Sequence, residues 1–164
     1  SVGVAASNIA AIENADAGSD AFTAGLLHDI GRIILAVNLP EEYRTACALF
    51  AAEHISMVDA ETHVFGATHA DVGAYLLGLW GLPSEVVRAV AFHHHPFALP
   101  GERFTALTAV HAANGILRKA HLEQDTCDTK LNLDYLSQVG LIGRLPVWQE
   151  VFGAQSADHV LAVW

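Results

Sequence analysis

The stretch Gly25-Leu26-Leu27-His28-Asp29-Ile30-Gly31-Arg32 decides how this chain is read. It sets an imidazole beside a carboxylate at the end of an apolar helical run. Both ligand types can meet one divalent cation, and a carboxylate can bridge two. A His-Asp pair alone is common, so its meaning depends on what the rest of the chain brings to it. The 164 residues include 10 His, an unusual number in a chain with only 8 Lys plus Arg. His69 lies in the first turn of a helix, in Thr68-His69-Ala70-Asp71-Val72-Gly73. The run His93-His94-His95 closes a helix just before Pro96, where imidazolium would also be favoured by the negative end of the helix dipole. His111 stands one turn before Asn114 on a long apolar helix. His54, His63, His121 and His159 lie among polar neighbours and read as ordinary surface or satisfied histidines.

Outward from that stretch the chain reads as helix after helix, with no period-2 strand pattern. Asp20 is expected to cap a helix from Ala21 to about Asp29, with Gly31 near its end. Pro40 followed by Glu41 and Glu42 starts another, with Pro in the first turn and acids at the positive end. Ser56-x-x-Asp59 and Thr68-x-x-Asp71 fit the capping-box pattern with Asp in place of Glu, predicting helices that stop near Gly66 and Gly81. Pro83 and Glu85 open a helix that runs to the His93–His95 run. Phe104 to Ala120 places Leu107, Val110, His111, Asn114 and Leu117 or Arg118 at helical spacing. His121 to Lys130 is polar and predicted to be a loop. Asp134–Val139, Pro146–Phe152 and Ala157–Trp164 read as shorter helices. The fold class is all-α, a helical bundle. Leu131, Leu133, Leu136, Trp148, Phe152 and Trp164 are expected in the core or at an interface.

Composition excludes several functions. A net charge of −10 with 52% hydrophobic and 16% charged residues rules out intrinsic disorder. It argues against a nucleic-acid partner and against an anionic membrane surface, both of which need a basic face. No apolar run approaches the roughly 18 residues of a membrane span; Val72 to Leu82 is short and interrupted by glycine. The start, Ser1-Val2-Gly3-Val4, lacks a charged leader segment, and the expected location is cytoplasmic. Cys47, in an apolar run, is expected to be a small core residue rather than a disulfide partner of Cys127. Abundant alanine and scarce charge predict exposed apolar patches that would pack on a second copy, a homodimer, or on another segment.

The order of these elements carries a resemblance. Ala24 to Arg32 resembles the HD superfamily of metal-dependent phosphohydrolases. His69-Ala70-Asp71-Val72-Gly73-Ala74-Tyr75-Leu76-Leu77, then Trp80-Gly81-Leu82-Pro83, then Ala91-Phe92-His93-His94, resembles the HDOD family, the HD-related output domain of bacterial signalling proteins. The similarity covers about residues 5 to 120. It implies an HD-type fold for 1–164 as a single domain, lacking an N-terminal portion, with 121–164 as its C-terminal helical extension. It also implies an attached signalling domain or protein partner. On the family pattern His28, Asp29, His69, His93 and His94 are the metal ligands, and the cofactor is a divalent ion (Fe, Mn, Zn or Mg). The pattern is incomplete here. Asn114 stands where the superfamily has its last Asp ligand, and neutral Asn brings no charge to offset a cation. No His precedes His28, no Gly-Tyr-Pro motif follows His95, and Arg32 stands where the hydrolases have Lys.

Two functions fit. One is a non-enzymatic regulatory module that uses the HD scaffold, with a degenerate metal site, to act through protein–protein contacts. The other is a metal-dependent phosphohydrolase acting on a nucleotide or cyclic dinucleotide, with Arg32 meeting phosphate. Between them lies a structural metal without turnover. The plainest alternative has no metal: the imidazoles hydrogen-bond one another, Asp29 and Asn114, because unpaired buried polar groups cost roughly 1–3 kcal/mol each.

Overall fold

The computed structural model describes residues 1–98, 104–121 and 131–151, and these form an all-α bundle. α1 (Val2–Glu13) and α2 (Gly18–Leu27) lie against each other, and both pack on α8 (Ala106–His121). Glycine sets how closely α1 and α2 approach: a Cβ on Gly25 would lie 2.8 Å from the Gly3 Cα. α2 begins at Gly18 with Asp20 in its first turn, so Asp20 complements the helix dipole and is not the cap.

The helix expected to run to Asp29 instead breaks at His28–Asp29, and α3 (Ile30–Asn38) starts at once. Gly31 is therefore no terminator. It lies in the first turn of α3, where a Cβ would sit 1.9 Å from the His69 carbonyl oxygen. This contact lets α3 cross α6 (His69–Leu79) closely enough to bring Asp29 to His69. α4 (Pro40–Glu53) starts on Pro40 as expected and pairs with α5 (Met57–Phe65) around Ala46, Met57 and Ala60. Its register buries Ala46 and leaves Cys47 exposed, so the expected core position of Cys47 is wrong by one residue.

Punctuation around α5 and α6 follows the sequence closely. Ser56 Oγ accepts from the Asp59 backbone N–H, and Gly66 ends α5 at φ 71°. Thr68 and Asp71 form a reciprocal capping box, an arrangement that contributes about 1 kcal/mol. Gly81 turns the chain at φ 76° into α7 (Ser84–Phe92). The main core draws on α1, α2, α6, α7, α8 and α9 (Leu133–Gln138). Leu136 and Trp148 are fully buried, Leu131 half-buried and Leu133 exposed; Phe152 and Trp164 lie outside the described residues. The C-terminal helical residues 145–151 are tied to α1, because Glu13 Oε1 accepts from Arg144 Nε at 2.7 Å and from Trp148 Nε1 at 2.9 Å. His121 belongs to α8. The rest of the expected loop, Cys127 and the helix expected over Ala157–Trp164 fall outside the described residues.

Candidate metal centre

Four element ends converge where α3 crosses α6. The break between α2 and α3 supplies His28 and Asp29, the first residue of α6 supplies His69, and the turn after α7 supplies His93 and His94. One ligand atom from each of Asp29, His69, His93 and His94 falls within 4.8 Å of the others. His28 Nε2 joins their edge, 3.4 Å from Asp29 Oδ2. His95 is exposed and takes no part.

Hydrogen bonds on the far side of the rings settle which nitrogens face inward. His28 Nδ1–H donates to the Gly25 carbonyl at 2.9 Å, and His93 Nδ1–H donates to the Val90 carbonyl at 2.7 Å. A carbonyl only accepts, so these Nδ1 atoms carry protons and, in the neutral rings, the Nε2 lone pairs point into the cluster. His93 Nε2 is buried and makes no hydrogen bond. His69 Nδ1–H donates to Glu61 Oε2 at 2.6 Å, while its Nε2 lies 3.2 Å from Asp29 Oδ1 and 3.0 Å from His94 Nε2. Two donors bound to one ion at about 2.1 Å stand about 3.0–3.4 Å apart for right-angled to tetrahedral geometry. His69 Nε2 already stands at that spacing from both His94 Nε2 and Asp29 Oδ1, and the four ligand atoms lie within 4.8 Å of one another, so the donor set fits a divalent ion.

Electrostatics agree with the geometry. Burial, with neighbouring imidazoles, holds His93 down at about 3 and lowers His94 too; burial also lowers His28. These rings are neutral near pH 7, as ligands must be. Burial works against charge on Asp29, yet contact with His69, His28 and Arg32 outweighs it and keeps the carboxylate ionised. Burial likewise works against protonation of His69, but hydrogen bonding to Asp29 and Glu61 raises its pKa overall. Arg32 Nε sits 3.4 Å from Asp29 Oδ1.

His111 is not a ligand. Its Nδ1–H donates to the His93 carbonyl at 2.7 Å, and its Nε2 accepts from the Asn132 backbone N–H at 2.9 Å. Both nitrogens are committed to holding the His93 turn and the start of α9 against α8. Asn114 is buried on the same helix, and among the described residues no hydrogen bond joins it to the cluster.

A family model for the HDOD domain matches residues 1–96, more than half of the chain. The chain belongs to the HDOD domain family. The HDOD chain is also 29% identical over 100 residues to an uncharacterized protein of Treponema pallidum, 61% of this chain and 20% of that one. A crystal structure of an HDOD domain protein from Geobacter sulfurreducens has the same fold, with TM-score 0.76 and 22% identity. It covers 97% of this chain and 56% of that one. A protein from Shewanella amazonensis named "Putative phosphohydrolase" also shares the fold, with TM-score 0.69 and 22% identity. There the overlap is 93% of this chain and 56% of the other. The chain thus spans about a fifth to just over half the length of these relatives. The HD-type helical bundle expected from the sequence is the fold observed.

Glu61 was not anticipated in the sequence reading. It is fully buried, and its Oε2 accepts from both the His69 backbone N–H at 2.8 Å and the His69 ring. Its signal was present: Met57, Val58, Ala60 and Glu61 form the buried face of α5, and Glu61 is the charge on that face.

Proposed function

We propose that this HDOD chain is a non-enzymatic bacterial signal-transduction module that holds a divalent ion in a degenerate HD-type site and acts through protein–protein contacts. The observation that carries the reading is the closure of the donor set. Asp29, His69, His93 and His94 offer four ligand atoms to one position. Four protein ligands characterise a structural ion, whereas a catalytic zinc keeps three and leaves a place for water. Two-metal phosphoryl chemistry needs a second ion about 3.5–4 Å away with its own ligands. Asn114, on the helix where a further carboxylate would be sought, supplies none. Asp29, His69, His93 and His94 would hold the ion, with His28 at the edge of the set, and the ion when bound would supply positive charge that ties the α2–α3 break, α6 and the turn after α7 together.

Exposed apolar side chains support the interaction role. Tyr75, Leu79 and Trp80 on and just after α6, and Ile33 and Val37 on α3, are each more than half exposed, on two helices that pack together. Such surface favours a protein partner, a second copy or an attached domain, and the charge of −10 makes nucleic acid or an anionic membrane the weaker partners. Among the described residues no single helix is long and apolar enough to cross a membrane.

Arg32 beside Asp29 favours a second reading, a phosphohydrolase of the HD superfamily acting on a nucleotide or cyclic dinucleotide. Incubating the chain with cyclic di-GMP and simple phosphodiesters in Mn²⁺, Fe²⁺ or Zn²⁺ separates the two. The expected result is no turnover, with ion binding that raises the melting temperature. Metal-dependent hydrolysis abolished by His28→Ala would overturn the module reading.

A further inference from the structure

We infer that Glu61 is a positioning residue for the ion site, one that acts through the imidazole of His69; the inference rests on the reading above that the cluster takes a divalent ion. Glu61 lies on α5, and its carboxylate is fully buried. Its Oε2 sits 2.6 Å from His69 Nδ1, on the opposite side of the ring from Asp29 and His94. This bond fixes a proton on Nδ1 and so leaves Nε2 as the ligand atom. It also fixes the ring plane, because the same oxygen accepts from the His69 backbone N–H at 2.8 Å.

Charge gives a second reason. Asp29 is the one carboxylate among the ligand atoms gathered in the cluster, and a divalent ion brings two positive charges. Glu61 supplies the second negative charge from behind a neutral ligand, and hydrogen bonding to an anion makes that imidazole a more basic donor. Glu61 Oε1 is buried without a hydrogen bond, so among the described residues the side chain's hydrogen bonds all go to His69, to its ring and its backbone N–H. The plain structural alternative is that Glu61 serves only as an anion at the start of α6. It predicts loss of fold stability with no specific effect on ion affinity or on the His69 ring.

The test uses the full chain and Glu61→Gln, which keeps shape and removes charge. Zinc affinity is measured by competition with a chromophoric chelator, and the His69 Nδ1 proton is followed by ¹H–¹⁵N NMR in the metal-free protein. The expected results are zinc binding about 10–100-fold weaker in E61Q, and a slowly exchanging, downfield Nδ1–H in the wild type that shifts upfield and exchanges faster in E61Q. Equal zinc affinity in folded E61Q, or a wild-type His69 with no proton on Nδ1, overturns the inference. If the wild type binds no zinc, the ion reading fails, and the NMR result alone decides whether Glu61 positions the ring. Should E61Q not fold, Glu61→Asp, which keeps the charge and withdraws the carboxylate by one methylene, is read the same way.

Discussion

His69 Nε2 and His94 Nε2 stand 3.0 Å apart, nitrogen facing nitrogen, with Asp29 Oδ1 3.2 Å from the first. Without an ion, at least one proton must lie between these atoms, and hydrogen bonding to Asp29 and Glu61, which raises the His69 pKa against the effect of burial, favours that proton on His69. An ion binding there displaces that proton. Zinc binding is therefore expected to release about one proton near neutral pH and to weaken as the pH falls. Calorimetry in two buffers of different ionisation enthalpy reads the proton count directly. Binding with no buffer dependence would contradict this account of the cluster.

Gly31 faces the His69 carbonyl so closely that any Cβ would overlap it, at 1.9 Å. The obstacle is backbone, so no side chain can swing away. Gly31→Ala is expected to cost about 1–3 kcal/mol or more by overpacking. It should also weaken zinc binding, since α3 carries Asp29 at its start. Gly66→Ala is the contrast: at φ 71° with open space around it, it strains only its own backbone, by about 1 kcal/mol. Urea unfolding with zinc titration distinguishes them. Equal effects of the two variants on zinc affinity would contradict the proposed crossing geometry.

Glu13 and Trp148 are 135 residues apart in sequence and share a hydrogen bond. The same oxygen accepts from Arg144, so one carboxylate fastens the 141–151 region to the end of α1. Hydrogen bonds to a charged group contribute about 1.5–3 kcal/mol each. Glu13→Ala is expected to destabilise the fold by about 2–4 kcal/mol, less than the sum because Arg144 is partly exposed. Trp148, buried in the wild type, should show red-shifted fluorescence as water reaches it. Unchanged emission together with unchanged stability would show that this anchor is not needed.

The sequence disclosed features whose physical cause is local. Pro40, the Thr68–Asp71 box, Gly66 and Gly81 act through their own backbone, and each ends or starts a helix where expected. The His-Asp pair, His69 and the His93–His94 turn were legible because their order along the chain and their places at helix ends are distinctive. What was missed depends on contacts across the fold. Gly31 reads the same whether it stops a helix or admits another backbone, and only the approach of His69 decides. α1 is alanine-rich around its whole circumference, so no apolar stripe marks the face it buries. Cys47 and Ala46 differ by one position in register, which small apolar residues cannot reveal. His111 found its partners at His93 and Asn132, 18 and 21 residues away.

Acid should unfold the metal-free chain through its buried imidazoles. His28, His93, His94 and His111 are all held below the ordinary value of 6.5, chiefly by burial, with His93 at about 3. In the unfolded chain these rings take up protons near 6.5. Below that pH the unfolded state binds more protons than the folded one, so stability falls with pH, by up to ~1.4 kcal/mol per pH unit for each ring. His69 acts in the opposite sense: its raised pKa adds stability that is present below 6.5 and lost as the pH rises through the folded value. Asp29, lowered from 3.8, begins to matter only as the pH drops toward that value, where its contribution is lost as well. Four lowered rings against one raised ring predict a clear fall in stability between pH 7 and pH 5. His111→Phe tests one of the four separately, because that ring lies outside the ion cluster. It removes one titrating group and should flatten the slope, while costing stability at pH 7.5 through the unpaired His93 carbonyl and Asn132 N–H. Urea unfolding of chelator-treated protein at pH 7.5, 6 and 5 measures both effects. A flat profile in the wild type would mean that these imidazoles titrate alike in the folded and unfolded chain, and an unchanged slope in the variant would mean the same for His111.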